Sequence, residues 1–189
     1  LPECRGRVEF QNVSFRYPDA QADVLSGINF VARPGQTTAI VGGTGSGKTT
    51  IINLLLRFYD VTGGRILVDG ADVRNVPQHE LRQNIGYVPQ KALLFAGSIK
   101  SNLQYGVESA TESELLRAAS IAQILDFIQG KPEGVDAEIA QGGANVSGGQ
   151  RQRLAVARAL VKKPEIYIFD DSFSALDFKT DAALRRALK

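Results

Sequence analysis

Few of the features that announce a specialised class are present in this chain. One cysteine, Cys4, among 189 residues rules out an internal disulfide and fits a reducing compartment. Lys and Arg number 22 against 20 Asp and Glu, a net charge of +2, so there is no electrostatic basis for nucleic-acid binding. No apolar run approaches the roughly 20 residues that a bilayer span needs. The opening "LPECRGRVEF" lacks the apolar core of a signal peptide. The chain as written is therefore expected to be soluble, whether whole or cut from something that is not. It has neither internal repeats nor low-complexity tracts. What remains is an ordinary globular composition, 43% hydrophobic and 22% charged. The length suffices for one compact domain with a substantial core.

The first third reads as β-structure. "RVEFQNVSFRY" alternates, with Val8, Phe10, Val13 and Phe15 inward around an irregularity at Gln11 and Asn12. "INFVA" reads as a second strand and "RPGQ" as a turn. "TTAIV", 37–41, is bounded by glycines beyond it and predicts a short buried parallel strand. From 48 to 58 the pattern becomes helical, with Ile51, Leu54, Leu55 and Phe58 on one face. "GRILVDG" is a further strand. Later, Thr111 to Glu114 form a capping box before a helix with Leu115, Leu116, Ala119 and Ala122 on its apolar side. "AQILDFIQG" predicts a second short helix, and 130–149 is rich in glycine. Ser147 stands where an N-cap belongs, ahead of a helix over 148–161 stopped by Lys162, Lys163 and Pro164. A strand over 166–169 and a last helix near 180–188 complete the pattern.

"GGTGSGKT" fits G-x-x-x-x-G-K-[ST], with Gly42, Gly47, Lys48 and Thr49 in the fixed places. A chain of this size matches that spacing by chance about once in a hundred, and here it lies between a predicted strand and a predicted helix. Glycines let successive N–H groups converge on phosphate oxygens, and the helix start adds about half a positive charge. Candidate phosphate contacts are therefore Gly42, Thr44, Gly45, Ser46, Gly47, Lys48, Thr49 and Thr50, with Lys48 at the β- and γ-phosphates. The Thr49 hydroxyl is a ligand for Mg²⁺. Asp170, at the tip of the apolar "IYIF", is placed as a P-loop NTPase places the second holder of that ion. ATP and Mg²⁺ are the implied cofactors.

"NVSGGQRQRLAVARAL" narrows the class. It resembles the signature motif of ABC transporter ATPases at Ser147, Gly148, Gly149 and Gln150, with Val146 where the family has leucine. A serine cap and two glycines at a helix start form a second anion-binding place. The resemblance implies that two such domains meet head to tail, each ATP lying between one domain's P-loop and the other's signature helix. It also implies that Tyr17 stacks on adenine, and that Gln90 in "GYVPQ" contacts Mg²⁺ and the attacking water. It further implies that "SALD", 174–177, crosses to the partner domain. Arg151 and Arg153 are expected to meet solvent or pair across the helix. His79, the one histidine, is expected on the surface at a helix start.

The implied fold is α/β, a P-loop NTPase with a RecA-like core, an N-terminal antiparallel β-subdomain and a helical insert. Residues 1–90 would form the ATP-binding core and 91–149 a helical subdomain ending in the signature. Residues 150–189 would return to the core, stopping before the family's switch histidine. "LLFAGSIKSNLQYG" resembles the exporter branch, so the surface at 90–103 is expected to receive the coupling helices of a membrane domain at the cytoplasmic face. The family usually has glutamate where this chain has Asp171, and that residue polarises the attacking water. One methylene less sets the carboxylate about 1–1.5 Å back, and a misplacement of about 1 Å can cost on the order of 10²-fold in rate. Catalytic candidates are Asp171, Gln90 and Lys48; metal ligands are Thr49, Gln90 and Asp170. The resemblance thus extends to heterodimeric exporters with one weakly hydrolysing site, and the chain alone is expected to have little ATPase activity. Two alternatives stand beside this reading: a regulatory ATP-binding module, and a non-transport ABC ATPase.

Overall fold

The computed structural model describes residues 4–172, 181–183 and 186. The expected crossing loop at 174–177 lies outside the described residues, as does most of the expected last helix, of which 181–183 and 186 are helical. The chain divides into two compact units, Leu1–Ile85 and Gly86–Lys189.

The first unit contains β1 (Val8–Phe15), β2 (Leu25–Ala32), α1 (Lys48–Leu55), β3 (Gly63–Val68), β4 (Ala71–Asp72) and α2 (Gln78–Gln83). Its sheet runs β2-β1-β3-β4, with every pair antiparallel. Val8, Phe10, Val13 and Phe15 are the buried positions of β1, so the alternation in the sequence predicted the inward face. The expected irregularity is a bulge. The register slips between Phe10 and Val13 against β2, and between Gln11 and Ser14 against β3. Asn12 takes φ +48° and donates its N–H to Asn29 Oδ1 at 2.8 Å. On the facing strand a Cβ at Gly64 would lie 2.2 Å from the Asn12 carbonyl oxygen, so only glycine lets β3 follow the bulge.

Two expectations in this unit need correction. Residues 37–41 are not a buried strand: no described strand pairs with them, and Ile40 and Val41 are 43% and 92% exposed. An apolar run becomes a strand only where a neighbour presents a matching row of amides and carbonyls. In this unit the four described strands pair with one another, and none of them with 37–41. The helix from Lys48 also ends at Leu55 and not at Phe58, because Arg57 turns left-handed at φ +54°. Arg82 of α2 fixes that ending by donating to the Leu56 and Arg57 carbonyls at 3.0 and 3.1 Å. Its guanidinium then covers the Phe58 ring at 4.9 Å, and Phe58 is exposed.

The second unit holds β5, which begins at the boundary (Ile85–Val88), then β6 (Gly97–Ser98), α3 (Ile99–Leu103), α4 (Glu112–Ile121) and α5 (Leu125–Gln129). β7 (Glu138–Ile139), α6 (Gly148–Val161) and β8 (Ile166–Phe169) follow. β5 neighbours β8, and β6 pairs antiparallel with β7. α4 and α6 bury one continuous core that includes Leu115, Ala119, Leu154 and Val156. Both start with reciprocal capping boxes, Thr111 with Glu114 and Ser147 with Gln150, as the sequence predicts. α3 carries a third, Ser98 with Ser101. The sequence pattern gave no separate sign of α3, β6 or β7, which are too short to show a period. His79 lies exposed in the first turn of α2, as expected. The class is α/β.

Candidate functional site

The loop ahead of α1 is built by glycines and left open. Gly45 and Gly47 have φ +80° and +91°, values an L-residue avoids. A Cβ at Gly42 would lie 2.4 Å from Ser46 Oγ, so the loop closes tightly only without one. Residues 41–46, including Thr44, Gly45 and Ser46, are exposed. Lys48 Nζ donates to the Gly43 carbonyl at 2.8 Å and also to that of Gly42. The ammonium thus lies inside the loop it would share with a phosphate. Gly47 caps α1 without a side-chain acceptor, so no cap side chain occupies the start of this helix. Thr49 is exposed, whereas Thr50 is buried. The Thr50 hydroxyl shares a hydrogen bond with Tyr17 OH at 3.0 Å, so this residue would offer a ligand its amide and not its oxygen. Tyr17 packs edge-on to Phe15 and Tyr59, with ring centroids 4.8 and 5.1 Å away. The predicted aromatic and the phosphate loop therefore share one corner of the first unit.

In the second unit, β8 runs directly into the two aspartates. Asp170 N donates to the Val88 carbonyl at 3.0 Å, continuing the pairing of β8 with β5. Tyr87 OH donates to Asp170 Oδ2 at 3.4 Å. Burial, and then the Asp170 charge and hydrogen bond, raise the pKa of Tyr87, so it remains a protonated donor. Asp171 adopts φ +46°, a region aspartate tolerates better than most residues. Its Oδ2 accepts Gln90 Nε2 at 3.2 Å. Gln90 and Asp171, predicted separately as water-contacting residues, are thus hydrogen-bonded across 81 positions of sequence. The turn after them is pinned by Ser172, 1% exposed, whose hydroxyl donates to the Val88 carbonyl at 2.6 Å. Tyr87 and Ser172 were missed at the sequence level. Tyr87 lies on the strand leading to Gln90, and that adjacency was the available signal.

The signature helix starts in solvent. Ser147 and Gly148 are exposed and Gly149 and Gln150 half-buried. Ser147 Oγ accepts the Gln150 amide at 3.2 Å, and Gln150 Oε1 accepts the Ser147 amide at 2.9 Å. Arg151, expected in solvent or paired across the helix, is half-buried. It turns back and donates Nη1 to the Gly143 and Val146 carbonyls, each at 3.0 Å. Gly143, at φ +70°, admits it: a Cβ there would lie 2.8 Å from Arg151 Cδ. Unpaired loop carbonyls attract the guanidinium more strongly than water does.

The residues fit a magnesium nucleotide. Glycine amides, a lysine and a helix start without a side-chain cap suit phosphates. The Thr49 hydroxyl, the Asp170 carboxylate and the Gln90 amide oxygen are hard donors that suit Mg²⁺. Among the described residues no group of three His, Cys, Asp or Glu forms a metal site by itself. These features define the class: a nucleotide-binding domain of the P-loop NTPase type.

The comparisons narrow it. The family model "ABC transporter" matches residues 25–174, and the chain belongs to that family. It is 49% identical over 97% of its length to the "Uncharacterized ABC transporter ATP-binding protein YfiB" of Bacillus subtilis. It is 44% identical over its whole length to an "ATP-dependent lipid A-core flippase" of Chromobacterium violaceum. In each case it covers 32% of the relative, so the chain spans about a third of the length of the relatives it matches. The "Structure of a bacterial Atm1-family ABC exporter with ATP bound" superposes with a TM-score of 0.93 at 42% identity, covering 100% of this chain and 34% of that one. The fold is that of an exporter-type nucleotide-binding domain.

Proposed function

We propose that this chain is the ATP-binding portion of an ABC exporter and works as one half of a head-to-tail pair. Residues 42–50 and Tyr17 hold ATP, Lys48 meets the β- and γ-phosphates, and Thr49, Asp170 and Gln90 hold Mg²⁺, which neutralises phosphate charge. Ser147, Gly148, Gly149 and Gln150 close over the ATP carried by a second nucleotide-binding domain. The observation that carries this reading is a pair of anion-ready helix starts, one in each unit: Lys48 at the end of the exposed loop 41–46, and the exposed Ser147 and Gly148. One nucleotide with one γ-phosphate needs one such start for its phosphate loop; the other is spare unless a second nucleotide uses it. Since each site needs two domains, a lone copy is a poor ATPase. The relatives are about three times as long. This supports a membrane domain, docked through the Gln90 segment, that places the chain at the cytoplasmic face of a membrane.

Within that reading, the site built on this P-loop binds MgATP and hydrolyses it slowly. Asp171 carries the role of the water-polarising carboxylate with one methylene less, and its second partner is a heterologous domain with a complete site. The test is Asp171→Glu in the assembled transporter, read by single-turnover hydrolysis with each site's nucleotide labelled separately. A rise of about 10-fold or more at this site is expected; an unchanged rate refutes the deficit. The fully regulatory reading, binding without turnover, also rests on Asp171. It requires that the unsubstituted transporter show no single-turnover hydrolysis at this site while ATP binding still changes the partner site.

A further inference from the structure

The segment that carries Gln90 is fastened to α6 at both its ends. At its start, Gln152, 2% exposed, donates Nε2 to the Pro89 carbonyl at 3.2 Å. At its far end Arg158 donates Nη1 to the Leu93 carbonyl at 3.1 Å. The same guanidinium gives Nε to the Asn102 carbonyl at 2.9 Å and Nη2 to Asn102 Oδ1 at 3.0 Å. Asn102, 1% exposed, in turn holds both backbone groups of Phe95: Oδ1 accepts its N–H at 2.9 Å and Nδ2 donates to its carbonyl at 2.8 Å. Above this polar knot the Phe95 and Tyr105 rings stack at 4.7 Å. Both lie over Arg158, at 5.5 and 5.8 Å, within cation–π range.

The outer side of the same cluster is bare. Leu93, Phe95 and Tyr105 are 59%, 41% and 62% exposed, while Ile99, Asn102 and Leu103 beneath them are buried. Leu93 and Phe95 are the large apolar side chains exposed in 90–103, and Tyr105 extends the patch beyond that range, sharing the Arg158 guanidinium with Phe95. Burial lowers the pKa of that guanidinium, as expected where a charge is held by neutral partners. A half-buried arginine with three donors on two segments is an expensive way to fill space; an aliphatic side chain would pack as well. Arg158 also lies seven positions from Arg151 on α6, two turns along one face. Arg151 clasps the loop that delivers Ser147. One helix, rising about 10 Å between the two arginines, thus connects the exposed patch to the signature start.

We propose that Arg158 is a positioning residue that makes the Leu93–Phe95–Tyr105 patch and the Ser147 end of α6 a single rigid body. A load applied by a membrane domain on the patch then moves the signature start instead of being absorbed by the loop. This rests on the docking reading above. Arginine is required for geometric reasons: its planar fork reaches two carbonyls and an amide oxygen at once while its face supports two rings, and lysine cannot do both.

A double-substitution cycle on ATP turnover tests this in the full-length transporter in lipid nanodiscs, with ATP and Mg²⁺ as the added ligands. Tyr105→Ala is expected to lower kcat about fivefold with KM for ATP unchanged, since the phosphate loop is untouched. On an Arg158→Lys background the same Tyr105→Ala is expected to change kcat by less than about twofold, because the patch is already disconnected. Effects that multiply independently overturn the role of Arg158. A merely structural role would instead raise KM or lower the stoichiometry of ATP binding, measured on the same samples; either result also overturns it. If Arg158→Lys does not assemble, Asn102→Ser removes the shared acceptor while keeping Arg158 and takes its place in the cycle. An unchanged kcat for Tyr105→Ala in the parent rejects the docking reading itself, and the proposal with it.

Discussion

Single residues of the phosphate loop do chemistry that no neighbour can replace. Lys48 Nζ rests on the carbonyls of Gly42 and Gly43, and those are exposed groups that water can serve once the lysine is gone. Lys48→Ala should therefore leave the fold intact while removing a full charge from the phosphates. A hydrogen bond to a charged group contributes about 1.5–3 kcal/mol, so magnesium-dependent ATP affinity measured by calorimetry should fall by about 10- to 100-fold. Affinity unchanged in a folded variant would count against the assignment of the loop. Legibility at this scale was uneven. The spacing of Gly42, Gly47, Lys48 and Thr49 is a local property of the chain and could be read directly. The inward turn of the Thr50 hydroxyl to Tyr17 depends on how β1 lies against α1, and the sequence carries no sign of it.

Elements were readable where they were long enough to show a period or a cap, and unreadable where a distant partner ended them. The starts of α4 and α6 are written in Thr111–Glu114 and Ser147–Gln150, because a capping box is complete within four residues. The early end of α1 depends on Arg82, 25 positions from Arg57. The failure of 37–41 to pair depends on strands elsewhere. The cap of α4 also carries a contact across the second unit. Glu114 accepts from the Thr111 amide and pairs with Lys163, beyond the end of α6, at 2.5 Å. The Lys163 ammonium foremost, and then the Thr111 amide and hydroxyl, hold the Glu114 carboxyl down from 4.5 to about 2. A carboxyl whose pKa is lower when folded stabilises the fold above its unfolded value and loses that contribution as pH falls through the folded one. Glu114→Gln keeps a capping side chain but no charge. Its melting temperature should lie below the parent's at pH 7, and the gap should close between about pH 4.5 and 2. A gap independent of pH would mean the pair adds nothing and the cap alone accounts for the effect.

At the scale of the whole molecule, two anion-ready helix starts have to be reconciled with one chain. If the Ser147 end of α6 served the nucleotide on this chain's own P-loop, blocking it would weaken that binding. If it serves a second domain, as proposed here, the two functions separate on different polypeptides. Ser147→Arg distinguishes them. Arginine removes the serine acceptor that caps α6, sets a positive charge against the positive helix end, and fills the space a γ-phosphate would take. The capping loss alone costs about 1 kcal/mol, well short of unfolding a domain whose α6 buries Leu154, Val156 and Ala157. ATP binding by this chain's P-loop should then be unchanged in calorimetry. In the assembled transporter, trapping with vanadate and a photoreactive ATP analogue should fall by about 10-fold or more on the partner subunit alone. Loss of label on this chain, with the partner's label intact, would mean the signature acts in cis and the head-to-tail pairing is wrong. The exposure of Ser147 and Gly148 favours the partner. A site that a chain finishes by itself has no reason to leave its second anion-binding end open to solvent.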